Sequence, residues 1–218
     1  YAQMTRGKTE KTVAYSISAL ATTLMKFAAD CCLFMSQNFG FINLPKEFTT
    51  GSSIMPHKKN PDVFELMRGK CNRLQTIPSE LAVITGNLTS GYFRDLQLLK
   101  EKYIHMLNEI KSCLEIALLM VPNISIKKGI LNNDIYDYLF SVEEVNRRVL
   151  AGIPFREAYK QVGTDIEKGK FKPNKEINHT HEGSLGNLCT LQIKNKMDDN
   201  YSKIDSIKID LALKNLLE

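Results

Sequence analysis

The segment Lys11–Gln37, KTVAYSISALATTLMKFAADCCLFMSQ, decides the fold class. Its apolar residues recur at alternating intervals of four and three positions, which is the repeat of a helix that packs along its whole length in a bundle. A helix of this extent would be about 40 Å long. The predicted inward positions are Val13, Ile17, Leu20, Leu24, Phe27, Cys31 and Phe34.

Two further segments have helical spacing. The first begins at Pro61, and we expect Asn60 to cap it and Pro78 to kink it. The second runs from about Asp95 to Met120. Three long helices joined by loops predict an all-α bundle. Their predicted inward residues are Val63, Leu66, Met67, Cys71, Leu74, Ile77, Leu81, Ile84, Leu99, Tyr103, Met106, Ile110, Leu114 and Ala117.

The second half has shorter helical segments, which indicates a separate small domain. They are predicted at Ile130–Phe140, Val142–Leu150 and Pro154–Glu167, and only weak helical character follows, over Lys203–Glu218. We place the boundary near residues 121–125. The predicted domains are 1–124, part of a helical bundle, and 125–218, a small C-terminal helical domain.

Composition narrows the function classes. The chain has 218 residues, 43% hydrophobic and 24% charged, which is typical of a soluble globular protein. Five cysteines match no zinc or disulfide spacing, so we expect reduced thiols, a cytoplasmic location and no metal. The sequence has no run of about 20 apolar residues, so it predicts no membrane-spanning helix. The net charge of +5 is spread along the chain without interleaved aromatic residues, which argues against nucleic-acid binding.

A polar loop, residues 49–61, separates the first two long helices. It contains Gly51-Ser52-Ser53-Ile54-Met55-Pro56-His57-Lys58-Lys59-Asn60, which combines two hydroxyl groups with two ammonium groups. The positive N-terminus of the next helix would point at it. Such a segment suits a carboxylate or a phosphate, although a solvated basic connection has the same charge content.

The order of these residues resembles the signature G-S-S-x-M-P-x-K-x-N of the aspartase/fumarase superfamily. Residues 59–70, KNPDVFELMRGK, resemble the argininosuccinate lyase family within it, as do residues 92–101, YFRDLQLLKE, and residues 152–158, GIPFREA. The resemblance covers about residues 10–165. The departures are His57 for the family's usual Gln, Phe93 for Asn and Leu99 for an acid.

The resemblance implies a lyase that releases fumarate from argininosuccinate and leaves arginine, with no cofactor. Ser52 would abstract the proton, Lys58 and Asn60 would hold the carboxylate where charge develops, and Glu65 would orient them. The implied substrate-binding residues are Ser53, Tyr92, Arg94, Gln97 and Lys100.

The resemblance also implies a site shared between the chains of a homotetramer. The family's acid lies in a T-H motif upstream of the signature, so we expect this chain to be a C-terminal half without that group. His179-Thr180-His181 looks like the motif but follows the signature, and a polar loop is the simpler interpretation. A metal site there with Cys189 fits no standard spacing.

Alternatives remain open at this point. The same chemistry could act on adenylosuccinate, whose lyases often have His at the position of His57. A crystallin-like protein without activity would also have this fold. A nucleic-acid-binding module rests on charge alone. Arg94 could instead form a structural salt bridge with Asp95 or Glu101, and Glu65 could be an ordinary exposed helical acid.

Overall fold

The computed structural model describes residues 2–204 and 206–217. Within them the protein is helical apart from one small antiparallel sheet of two strands, β1 (Ile42–Asn43) and β2 (Ser125–Ile126), so the predicted all-α class is confirmed. The chain divides into two compact units, one up to Ile130 and one from Leu131 onward. The sheet holds the residues just after the third long helix against the first unit.

The first unit consists of long and short helices that pack on one another. The second predicted helix is broken at residues 75–76, and Pro78 lies in the first turn of the helix after the break. The third begins at Leu99, because residues 94–97 form a short 3-10 turn instead. The helices are α1 (Ala2–Thr5), α2 (Lys8–Met35), α3 (Asp62–Leu74), α4 (Ile77–Ile84) and α5 (Leu99–Met120), with 3-10 turns at Lys46–Phe48, Arg94–Gln97, Val121–Asn123 and Ile130–Asn132.

The buried face of α2 has the predicted repeat but is rotated from the predicted residues. Leu20 was predicted to face inward, and this is wrong, since it is 39% exposed. Small side chains occupy the closest contact instead, because they let the backbones of neighbouring helices approach. The buried residues of α2 are Ala14, Ala21, Leu24, Ala28 and Cys31.

Two other inward assignments are also wrong. Leu66 is 66% exposed and Phe64 is buried in α3, while Leu114 is 36% exposed and Cys113 is buried in α5. In each case two apolar residues close together in the sequence were compatible with the buried face, and the packing direction of the adjacent helices determined which one is buried. Both leucines therefore belong to the outer surface of the unit.

Helix α2 is longer and more apolar as a whole than the sequence analysis assumed. A window of it reaches a mean hydropathy of 1.4, so length and composition alone would let it cross a membrane. In the structure this helix packs along α3, α4 and α5. The absence of a membrane segment stays a prediction.

The second unit has a smaller core and one helix that the pattern did not reveal. The predicted helix Ile130–Phe140 consists of 3-10 turns, and Thr190–Ser202 is helical although its sequence is largely polar. Val145, Ala158 and Val162 form the core. The elements are a 3-10 segment at Asp134–Phe140, α6 (Ser141–Leu150), α7 (Phe155–Glu167), α8 (Thr190–Ser202) and α9 (Ser206–Leu217).

Candidate functional site

The signature loop is closed at its base by its own backbone. The amide of Asn60 donates to the carbonyl of Thr50 at 2.8 Å, and the amide of Thr50 donates back at 3.3 Å. The hydroxyl of Thr50 donates to the carboxylate of Asp62 in the first turn of α3. These bonds fix both ends of the loop, so the residues between them are presented as one segment.

Ser52 is half-buried and its hydroxyl oxygen has two backbone donors. The amides of Ile54 and Met55 each donate to Oγ at 3.2 Å. Hydrogen bonds to the charged form of a group favour that form. The loop conformation therefore stabilises negative charge on this oxygen, as a proton-abstracting serine requires. Ser53 is exposed beside it.

Asn60 does not cap α3, contrary to the sequence prediction. Helix α3 starts at Asp62 with Pro61 as its N-terminal flanking residue and no side-chain cap. The side-chain amide of Asn60 instead donates to the carbonyl of Gly51 at 3.4 Å. It thus bridges the two sides of the loop next to Ser52.

A cleft of about 570 Å³ lies between the loop and the end of α2. Three of the predicted residues line it together: Lys58, Asn60 and Glu65. Glu65 is exposed on the first turns of α3 and is one of the residues that line the cleft. Ser52 does not line this cleft. The other lining residues are Cys32, Met35, Ser36, Gln37, Ile42, Asn43, Leu44, Met55, His57, Lys59 and Pro61.

Cys32 offers no nucleophile to the cleft. Burial raises the pKa of its thiol above the usual value, and the nearby cation of Arg68 only partly opposes this shift. The thiol therefore stays protonated at neutral pH. The chemistry of the cleft depends on its ammonium, amide and carboxylate groups.

The second predicted group lies at the start of α5. Gln97 Nε2 donates to the hydroxyl oxygen of Tyr92 at 3.0 Å, and the ring of Tyr92 is 43% exposed. Lys100 is exposed in the first turn of α5. The guanidinium carbon of Arg6 lies 5.7 Å from the ring centroid of Tyr92. No motif in the sequence had singled out Arg6.

Arg94 is exposed and does not form the alternative salt bridge. Among the described residues, neither Asp95 nor Glu101 pairs with it, and Glu101 contacts Lys102 at 3.6 Å instead. Its guanidinium therefore remains available to a ligand. Arg94 lies two residues after Tyr92, in the segment that precedes α5.

The two groups lie at opposite ends of the first unit. The cleft includes residues at the C-terminal end of α2, whereas Gly7, just before α2, contacts Leu96 and Leu99 next to the second group. Helix α2 has 28 residues, which corresponds to about 40 Å. One chain therefore does not bring Ser52 and Tyr92 to the same small substrate.

The histidines near the end of the chain form structural contacts. His179 Nε2 lies 2.8 Å from a carboxylate oxygen of Glu143, and the rings of His179 and His181 are 5.6 Å apart. In the part of the chain that the structure describes, no group of three His, Cys, Asp or Glu residues is placed to hold a metal ion.

Several known proteins are similar to this chain in sequence. A family model described as lyase matches residues 8–76. The chain is 57% identical over 217 residues to argininosuccinate lyase of Parabacteroides distasonis, a match that covers 100% of this chain and 49% of that protein. It is 52% identical to argininosuccinate lyase of Bacteroides thetaiotaomicron, with the same coverage of each. The chain thus spans about half the length of the curated relatives it matches.

Solved structures show the same fold at low sequence identity. The 3-carboxy-cis,cis-muconate lactonizing enzyme of Pseudomonas putida superposes with a TM-score of 0.63 at 20% identity, covering 76% of this chain and 38% of that one. A class II fumarase of Schistosoma mansoni gives 0.62 at 18%, covering 74% and 33%. These structures show that the fold is shared, and the sequence relatives show that the chain is similar over its whole length to about half of each argininosuccinate lyase.

Proposed function

We propose that the protein containing this chain is an argininosuccinate lyase, which eliminates fumarate from argininosuccinate and releases arginine in the cytoplasm without a cofactor. The observation that carries the proposal is the signature loop, which gives Ser52 Oγ two amide donors while Lys58, Asn60 and Glu65 share one cleft. A protein 57% identical to this chain has that name.

Proton abstraction is the demanding step of such an elimination. The proton lies on a carbon beside a carboxylate, and its removal puts a second negative charge on that carboxylate. Ser52 as an alkoxide would accept this proton, and its two amide donors lower the free energy of the alkoxide relative to the hydroxyl. The carbon–nitrogen bond then breaks, and an acid outside these residues protonates the leaving guanidine.

Lys58 and Asn60 would stabilise the charge that develops on the carboxylate. The amide of Asn60 is held by the carbonyl of Gly51, so it needs little reorganisation, which is the condition for effective electrostatic stabilisation. Lys58 would add its positive charge from the same cleft. Glu65 shares their cleft and would keep the Lys58 ammonium positioned there. Ser53, Tyr92, Arg94, Gln97 and Lys100 would bind the remaining groups of the substrate.

The separation of about 40 Å between the two groups supports a site shared between chains. The outer face of α5 supports the same proposal, because exposed apolar residues recur on it with heptad spacing, as in an interface between helices. We propose the homotetramer that the family resemblance implies. The exposed stripe consists of Ile104, Leu107, Leu114 and Leu118, and Val121 continues it just after the helix.

The activity test measures fumarate release from argininosuccinate and adenylosuccinate in parallel, using this chain and the full-length protein. We expect release from argininosuccinate by the full-length protein, about 10²–10⁴-fold slower in Ser52→Ala. Ser79→Ala, an exposed serine of α4, is the matched control and should be unaffected. A preference for adenylosuccinate would overturn the substrate, and unchanged activity of Ser52→Ala would overturn the base.

The shared site is tested by mixing two inactive variants. Ser52→Ala and Gln97→Ala each damage one of the two groups, so a mixed oligomer contains some sites with both residues intact. We expect co-expression to recover part of the activity that each variant lacks alone. Failure of every mixture, with mixed oligomers demonstrated by mass spectrometry, would place both groups in one chain.

A further inference from the structure

Arg6 occupies a defined position beside the second group because of the residue that follows it. Gly7 adopts φ 87°, and a Cβ built there would lie 2.8 Å from Cγ2 of Thr85 and 3.7 Å from a methyl of Leu99. The chain thus passes tightly between the end of α4 and the start of α5. Arg6 emerges from this contact against the ring of Tyr92.

The surroundings of Arg6 are polar and open. Arg6 lines a cleft of about 490 Å³ at the N-terminus of α2. Glu10 is the acidic residue in this cleft, and one of its carboxylate oxygens accepts the amide of Gly7 at 2.8 Å. Within residues 2–204 and 206–217, Arg6 forms no ion pair. The other lining residues are Gln3, Thr5, Thr9 and Tyr103.

We infer that Arg6 is a further carboxylate-binding residue, which holds one carboxylate of a succinyl compound together with Gln97 and Lys100. The inference rests on the proposed function and adds a residue to its site. A guanidinium binds a carboxylate through two parallel hydrogen bonds, which an ammonium does not provide. The contact with the Tyr92 ring restricts the guanidinium before binding, so less entropy is lost when the carboxylate arrives.

Binding is measured first, on the chain alone, with succinate as the probe. The Nε signal of Arg6, assigned by its loss in Arg6→Lys, is followed by NMR during a succinate titration. We expect a saturable shift in the wild type, and a dissociation constant about 10–100-fold weaker in Arg6→Gln. Lys8→Gln removes the same charge two residues away on an exposed position and should change binding less than twofold.

Kinetics of the full-length protein separate binding from a purely structural role. Arg6→Gln should raise KM for argininosuccinate about 10–100-fold while kcat changes less than about threefold, because the carboxylate is held equally in the ground and transition states. Arg6→Lys should fall between Arg6→Gln and the wild type. If Arg6 contributed only to folding, thermal stability would fall in Arg6→Gln while KM and succinate affinity stayed unchanged.

The outcomes distinguish this inference from the proposed function. An unmoved Arg6 signal at saturating succinate, with KM of Arg6→Gln within twofold of the wild type, overturns the inference even if the protein is an active lyase. A saturable Arg6 shift in a protein that releases no fumarate overturns the proposed function and leaves the carboxylate site standing.

Discussion

Substitution of Gly7 by alanine tests the contact that positions both α2 and Arg6. The backbone at Gly7 has φ 87°, a left-handed conformation that costs an L-residue roughly 1–2 kcal/mol. The new Cβ would also lie 2.8 Å from Thr85 Cγ2. Thr85 has little freedom to move, because it is β-branched and its hydroxyl donates to the carbonyl of Leu81 at 2.9 Å.

The expected magnitude is the sum of these two effects. Overpacking of a tight contact costs about 1–3 kcal/mol, so Gly7→Ala should destabilise the first unit by about 2–5 kcal/mol. Gly40 is the matched control, since it has φ 55° and open space around its Cβ position. Gly40→Ala should therefore cost only the backbone part, about 1–2 kcal/mol.

A second-site variant isolates the contact. Thr85→Ser removes Cγ2 and retains the hydroxyl that donates to Leu81. In this background the effect of Gly7→Ala should fall to about 1–2 kcal/mol, the cost of the backbone alone.

The assay is hydrogen exchange followed by mass spectrometry on peptides from α2 and α4, because two units need not unfold in one step. An equal effect of Gly7→Ala in both backgrounds would refute the reasoning from the 2.8 Å contact.

The remaining predictions concern both units. Phe64→Ala should destabilise the first unit by about 3–5 kcal/mol in urea denaturation, since Phe64 is fully buried with its ring edge-to-face on Phe27 at 5.8 Å. Glu144→Gln should lower the melting temperature of the second unit at neutral pH, because the hydrogen bonds from Arg147 hold the pKa of Glu144 below its usual value. That stabilisation is present above the unfolded-state pKa and is lost as pH falls through the folded-state pKa, so the wild type and the variant should converge in acid. Cys71 should resist Ellman's reagent at pH 8 until the protein unfolds, because burial raises the pKa of its thiol to about 12.

Each of these has a control and a contrary result. Leu66→Ala, on the exposed side of α3, should lower the free energy of unfolding by less than about 1 kcal/mol. A loss equal to that of Phe64→Ala would contradict the assigned packing face. Glu157→Gln on the exposed surface of α7 should leave the pH profile unchanged. A Glu144→Gln deficit that persists undiminished in acid would show that ionisation of the carboxyl is not its source. Rapid labelling of native Cys71 would indicate that α3 and α5 separate readily.

Much of the fold could be read from local pattern. The alternation of apolar residues in Lys11–Gln37 predicted a long packed helix, and α2 extends from Lys8 to Met35. The order of residues around Ser52 predicted a loop between two helices, and the hydrogen bonds within this loop join residues a few positions apart. Short-range hydrogen bonding of this kind is contained in the sequence itself.

Tertiary structure decided the rest. Phe64 rather than Leu66 is buried because of the direction in which the neighbouring helices pack. The apolar repeat of a single helix does not determine that direction. The contact of Arg6 with Tyr92 joins residues far apart in sequence, and neither belongs to a shared pattern. The separation of Ser52 from Tyr92 is likewise set by the straight path of α2, which puts two groups with one proposed substrate at opposite ends of the same bundle.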